Sequence, residues 1–447
     1  MRLWLHSGCG SWRWLRRCGL GVAVALAAVL LPGGCGSKAK PAPVIRVTRN
    51  IGGREGFRLH FEAWKAAFER DNAGWQMELI DLGNSEGEQY YKSRLATGDL
   101  PEVVMTWQLT NFLADGGHLA PLPDEYYERF GIPLPPAYKG KRYTSQAGVQ
   151  IQGIVVNKRL WREAGITAPP RTWEEFMAAL RQIKAKGIKP LVYGGREWSA
   201  SMPLFYALAS SLYAEAPAAG QASWTRRKDE GTVSFATDPQ ARKVLERMVE
   251  LLDACVEKGA LSDGYNQEQA DFYGGKGATW MMGCWIGGDI EPNRVDFEME
   301  YWPVPALAGR EPRFIHTSSF QNGWAITSTA TGETLTKARA ALDAFYDPHV
   351  YQLFLNGESQ FKEAQKVAVS GPSSAWAPAQ ALYDNMAANL KRYGTTVGYH
   401  IGLDDMPPPS FSMSMARVMQ EILSGNTDID ALLKMLDADW DSARKGM

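Results

Sequence analysis

Short β-branched runs alternate with amphipathic helical stretches along most of this chain, which restricts it to an α/β architecture with mainly parallel sheets. Val44 to Thr48 is the first such run and reads as a strand. Gly52 and Gly53 then turn the chain into a helix in which Phe57, Phe61, Trp64 and Phe68 form one apolar stripe. Trp75 to Leu82 reads as the second strand, Glu86 to Ala96 as a helix and Glu102 to Trp107 as the third strand. Ile151 to Asn157 and Lys189 to Tyr193 follow as strands. Between them, Thr172 with Glu175 three residues on is a capping box that opens a helix, and Gly187 stops it. Asp238 to Lys258 is a long amphipathic helix, Ala278 to Met282 an apolar strand and Gly323 to Thr327 a further strand. Lys337 to Phe354, Met413 to Leu423 and Ile429 to Lys445 read as helices.

The first residues follow another logic. Arg2, Arg13, Arg16 and Arg17 precede an uninterrupted apolar stretch, Leu20 to Leu31, and then small residues Gly33 and Gly34. A basic, apolar, small-residue order of this kind is a secretory signal. The apolar run is shorter than the ~20 residues a membrane-spanning helix needs. LPGGCGS (Leu31–Ser37) resembles a bacterial lipobox, with Cys35 at the lipid-attachment position and Pro32 where a Leu is usual. Residues 1–34 are therefore expected to be the signal peptide, and 35–43 the lipidated Cys and a spacer.

Composition narrows the function. A formal net charge of −1 offers no basic field for nucleic acid. The six His are scattered, with no His-x-x-x-His pair and no Cys-x-x-Cys, so no metal or cofactor is expected. Neither a Gly-x-Ser-x-Gly elbow nor a phosphate loop occurs, and no catalytic residue is expected. Behind Cys35 the body keeps two thiols, Cys255 and Cys284, whose spacing leaves pairing open. The chain holds 16 Trp, of which only Trp4, Trp12 and Trp14 fall in the leader. Most of the rest belong in the core, but such a surplus also suits a cleft that stacks on flat apolar ligand faces such as the CH face of a sugar.

Five stretches, in order, carry a family likeness. They are SRLATGDLPEVV (Ser93–Val104), ADGGHLAPL (Ala114–Leu122), NKRLWREAGI with PRTWEEF (Asn157–Ile166, Pro170–Phe176), FYGGKGATWMMGCW (Phe272–Trp285) and the closing stretch Ser424–Trp440. The chain resembles the extracellular solute-binding proteins of bacterial ABC importers, in the group that takes up sugars and oligosaccharides. The resemblance implies a two-lobed α/β fold of the type II periplasmic-binding-protein kind, with the ligand cleft between lobes joined by hinge strands. It implies a first lobe at 44–150 and 306–365, and a second at 151–305 and 366–447. It also implies a non-enzymatic monomer that binds a carbohydrate, closes around it and delivers it to transmembrane permease subunits. The lipid on Cys35 would hold it at the membrane, outside the cytoplasm. Binding of a polyol, peptide or polyamine in the same fold, a sensor, and a secreted carbohydrate-active enzyme stay open as alternatives.

Strand ends and loops supply the candidate site. Trp285, in a Gly-flanked loop after the strand Ala278–Met282, is the expected stacking platform. Trp107 and Gln108 end the third strand, and Trp198 opens a helix after Gly194 and Gly195. Asn50, beside Arg49 at the end of the first strand, and Gln152, with Gln150, carry groups matched to hydroxyls. Ser319 and Gln321 precede the strand Gly323–Thr327, and Asp289 reads as a hydroxyl acceptor or a helix N-cap.

Overall fold

The computed structural model describes residues 41–445, apart from 50–53, 84–86, 107–108, 136, 146, 214–221, 306–310, 318–322, 398–406 and 409. The leader, Cys35 and most of the spacer therefore lie outside the described residues.

Ten strands are described: β1 (Val44–Arg49), β2 (Gln76–Asp81), β3 (Val103–Met105), β4 (Leu119–Ala120), β5 (Gln150–Asn157), β6 (Thr279–Gly283), β7 (Met299–Trp302), β8 (Phe314–Thr317), β9 (Trp324–Thr327) and β10 (Thr395–Val397). They form two sheets. One runs β2-β1-β3-β9-β4; the other runs β10-β8-β5-β6, with β7 also on β5. In the first, β1 is parallel to β2 and β3, whereas β9 is antiparallel to β3 and β4. In the second, β10 and β8 are parallel, and β5 is antiparallel to β6, β7 and β8. Each sheet thus has one reversed strand, and in each case it is the strand by which the chain enters from the other half. β5 follows the segment 144–149 and β9 follows β8. An entering strand starts at the edge facing the other half, where the parallel strands end. The carboxyl ends Arg49, Asp81 and Met105 accordingly lie along the edge where β9 begins, with Met105 opposite Trp324. Gly283 ends β6 opposite Gln152, and Thr317 ends β8 opposite Gln150.

Alternate residues of both sheets enter cores on opposite faces. Val47, Val103 and Trp324 pack with Phe61, Trp64 and Phe68 on one face of the first sheet. Val104 and Ala325 pack with Tyr91 and Leu113 on the other. Ile154, Val156 and Met281 meet Leu180, Leu245 and Trp440 on one face of the second sheet, and Val155, Trp280 and Met282 meet Phe272 and Leu382 on the other. Two sheets covered on both faces make the two-lobed α/β fold expected. Val149 and Phe361 exchange backbone hydrogen bonds of 2.8 and 3.0 Å where two segments run side by side between the halves.

Four expectations need correction. The sheets are not mainly parallel: five of the eight strand pairings described are antiparallel, because β9 and β5 run against their neighbours. The stretch Lys189–Tyr193 is not a strand but makes isolated bridges, Lys189 to Gly277 and Val192 to Trp280. The stretch 306–365, expected in the first lobe, begins too early, because β8 pairs with Gln150–Gln152 of β5 in the second sheet. The stretch Lys337–Phe354 is not one helix but two, Gly332–Phe345 and Pro348–Glu358. The break falls where Asp347 accepts hydrogen bonds from His349 N and Val350 N, and Pro348 starts the new helix without an N–H to satisfy. The Thr172 cap forms as expected, donated to by Glu175 N at 3.2 Å, while the Glu175 carboxylate accepts from Arg171 N at 2.7 Å. Cys255 and Cys284 are separate, buried free thiols.

Candidate functional site

The end of β6 builds an aromatic patch. A Cβ at Gly283 would overlap the six-membered ring of Trp285, so glycine lets the indole fold back over the strand end. Trp285 Nε1 donates to the Tyr265 hydroxyl at 3.1 Å. The Tyr265 ring lies 5.0 Å from that of Trp198 at 44°, and Trp198 and Trp285 are 6.4 Å apart at 50°. Tyr265 is buried, whereas both indoles keep part of their surface in solvent. Two half-exposed indoles over a buried phenol thus stand at the edge where the first half meets the second. Gln152 is the in-register neighbour of Gly283, and Gln150 lies two residues away on the same face of β5. Both glutamines are buried.

Asp289 closes the short turn Cys284–Asp289 and does not cap a helix. Its carboxyl is 4% exposed and accepts from Gln269 Nε2 at 3.1 Å. Burial pushes this carboxyl up to about 6, although Arg54 pulls the other way and Glu358 adds to the rise. Arg54 precedes the first helix, Glu55–Asp71, so the first half brings its cation to an acid of the second.

Three glycines allow that approach. A Cβ on Gly288 would overlap the Gly357 carbonyl oxygen, and one on Gly56 would lie 3.0 Å from Gly357 Cα. The turn carrying Trp285 and Asp289 therefore rests on the end of the helix Pro348–Glu358 and the start of Glu55–Asp71. Gly288→Ala should force these backbones apart at a cost of about 1–3 kcal/mol. The check is urea unfolding; an unchanged midpoint would show that the contact yields freely.

Among the sequence candidates, the structure brings together Trp285, Trp198 and Asp289 with Gln152. Asn50, Trp107, Gln108, Ser319 and Gln321 lie outside the described residues, as does Cys35. Sequence reasoning missed Tyr265, Arg54 and Glu268. Residues 266–269, Asn-Gln-Glu-Gln, read as a polar helix face, and only packing shows Glu268 to be 2% exposed. Among the described residues, no group of three or more His, Cys, Asp or Glu is arranged to hold a metal ion.

The family model described as bacterial extracellular solute-binding protein matches residues 58–351. The chain belongs to this family. As a solute-binding protein it is a binding protein, not an enzyme, and its family is extracellular. Among curated relatives, the melibiose/raffinose/stachyose-binding protein of Bacillus subtilis is 24% identical over 310 residues, 65% of this chain and 69% of the relative. The multiple sugar-binding protein of Streptococcus mutans is 24% identical over 198 residues, 41% of this chain and only 45% of that protein. Among solved structures, a chitin oligosaccharide binding protein shares the fold with a TM-score of 0.74 at 20% identity, covering 91% of this chain and 100% of that one. A raffinose complex of another solute-binding protein gives a TM-score of 0.67 at 19% identity, over 90% of this chain and 99% of that one.

Two buried charge sites flank the aromatic patch of this solute-binding protein. In the first half, Arg49 Nη2 lies 2.5 Å from Glu358 Oε1, with the two side chains 1% and 9% exposed. The guanidinium lies 4.5 Å from the Phe57 ring, 5.4 Å from Trp324 and 5.6 Å from Phe354, and burial lowers it to about 10. In the second half, Glu268 Oε1 accepts from Gly194 N at 2.6 Å and Oε2 from Trp280 Nε1 at 3.4 Å. Burial pushes the Glu268 carboxyl up to about 8, against the pull of the Gly194 N–H.

Proposed function

We propose that this protein binds a carbohydrate, an oligosaccharide, in the cleft between its lobes and presents it to an ABC permease by closing around it. The observation that carries this reading is the pair of half-exposed indoles, Trp198 and Trp285, held by Tyr265 at the meeting edge of the two sheets. Flat apolar rings suit the CH faces of sugars, and a neighbouring buried acceptor suits their hydroxyls. The sugar-binding names of the relatives support the same ligand class. In this reading Trp285, Trp198 and Trp107 stack, while Gln108, Asn50, Gln152, Ser319, Gln321 and Asp289 hydrogen-bond hydroxyls. An acceptor left unpaired in the closed cleft costs ~1–3 kcal/mol, which discriminates a sugar from an apolar mimic. Closure requires that ligand bind the closed form better than the open one. The protein works as a monomer, tethered outside the cytoplasm by a lipid on Cys35.

Calorimetric titration of the mature chain with mono- and oligosaccharides tests the ligand class. Micromolar binding of one sugar class is expected; heat only with a polyol, peptide or polyamine would overturn it. For the tether, Cys35→Ser should move the protein from the membrane fraction to the soluble one. A variant that stayed membrane-bound would contradict the anchor.

A further inference from the structure

We propose that Glu197 is a positioning residue that clamps the loop carrying Trp198 onto the helix carrying Tyr265, so that the aromatic patch is built before any ligand arrives. The proposal rests on the carbohydrate-site reading for its meaning, but its first test needs no ligand. Glu197 and Trp198 are neighbours in sequence, and both reach the same residue far along the chain. Glu197 Oε1 accepts from Tyr265 N at 2.7 Å. The Trp198 ring lies 5.0 Å from the Tyr265 ring. Tyr265 is thus gripped at its backbone by one residue and at its ring by the next, while its hydroxyl receives the Trp285 N–H.

The hydrogen bond answers a need of the helix. Tyr265 opens the helix Tyr265–Tyr273, and the N–H groups of a first turn have no partner within their own helix. Gly264, at the N-cap, has no side chain to serve them. A carboxylate from another segment does so instead, and its charge suits a helix N-terminus. The exposed Arg196 adds a 3.5 Å contact to the same Glu197 oxygen. Further back, the two segments are joined by Gly195 N to Ala260 O at 2.7 Å and by Arg196 N to Asp263 O at 2.9 Å. Glu197 supplies the last tie between them before the indole.

Glycine at 264 is the second observation. Its φ of −115° and ψ of −175° are extended backbone that any residue adopts, so conformation does not call for glycine here. Space does. A Cβ on Gly264 would lie 1.9 Å from Glu197 Oε1, 3.0 Å from Glu197 Cδ and 2.5 Å from Arg196 Nη2. These atoms belong to the ends of flexible side chains. Gly264→Ala should therefore push the carboxylate off the Tyr265 N–H without forcing the backbones apart.

Near-ultraviolet circular dichroism and acrylamide quenching of tryptophan emission report on the patch in the mature, ligand-free chain. Glu197→Ala should weaken the aromatic dichroism and raise the quenching. Glu197→Gln, which keeps an acceptor oxygen of the same reach, should retain the native values. Gly264→Ala should reproduce Glu197→Ala and add nothing to it in the double variant. In a Trp198→Phe background, Glu197→Ala should change the quenching little. Native-like spectra in Glu197→Ala or Gly264→Ala overturn the proposal, as does a Glu197→Gln variant that behaves like Glu197→Ala. An effect of Glu197→Ala that is undiminished in the Trp198→Phe background also overturns it. Should Glu197→Ala fail to fold, Gly264→Ala decides. Calorimetry with the panel of mono- and oligosaccharides then tests the consequence for binding. Affinity for a sugar that binds should fall about tenfold in Glu197→Ala and in Gly264→Ala, because the ligand must order side chains that the native fold orders in advance. A sugar bound as tightly by both variants as by the native chain overturns the positioning role and leaves the carbohydrate reading intact. Spectra that change as expected, with no sugar bound by the native chain, would sink the carbohydrate reading and leave the clamp standing.

Discussion

Trp285→Ala should weaken carbohydrate binding about 30- to 150-fold. The indole contributes a flat apolar face that the sugar would cover, and a buried aromatic anchor of this kind is worth roughly 2–3 kcal/mol. A tenfold change in affinity corresponds to about 1.4 kcal/mol, which gives the range. The substitution also removes the N–H bonded to the Tyr265 hydroxyl and leaves empty space over Gly283. Because Trp285 is only half-buried, the fold should lose little stability. Calorimetry of the variant is the check, with circular dichroism to confirm folding. Affinity within twofold of the native chain would show that the ligand does not stack on this ring.

The second large effect is on stability. Glu358→Gln should cost about 3–5 kcal/mol, because it leaves Arg49 charged, buried and without its carboxylate. The pair lies 2.5 Å apart beneath Phe57, Phe354 and Trp324. Arg49 Nε and Nη1 have no hydrogen-bond partner among the described residues, so Glu358 is the main compensation for the buried guanidinium. Replacing both partners, Arg49→Met with Glu358→Leu, should recover most of the loss, since a buried pair can be exchanged for apolar groups of similar volume. Urea unfolding measures both variants. A loss below about 1 kcal/mol for Glu358→Gln would mean that water or another group reaches Arg49.

Much of the fold was legible because it is local. Phe57, Phe61, Trp64 and Phe68 recur at helical spacing and all enter one side of the first lobe. Thr172 announced its helix by a cap that needs only the residues around it. The Lys337–Phe354 stretch misled because both helices there face the same core, so apolar periodicity runs on past the break at Asp347 and Pro348. The placement of β8 was beyond local reading, since its partner β5 lies more than 150 residues earlier. The site divides in the same way. Strand-end reasoning reached Trp285, Trp198 and Asp289, which follow a recognisable strand or turn. It could not reach Glu268, whose polar neighbours in sequence suggest an exposed face, nor Arg54, which meets Asp289 only through the glycine contact of Gly56, Gly288 and Gly357.

The most direct measurement is a tryptophan-fluorescence titration of the mature chain with the sugar that calorimetry selects, repeated in Trp198→Phe and Trp285→Phe. A saturable shift in emission is expected in the native chain, with a reduced amplitude in each variant. A sugar that binds at micromolar concentration with no change in emission, or with a change that both variants keep in full, would place the carbohydrate away from this patch.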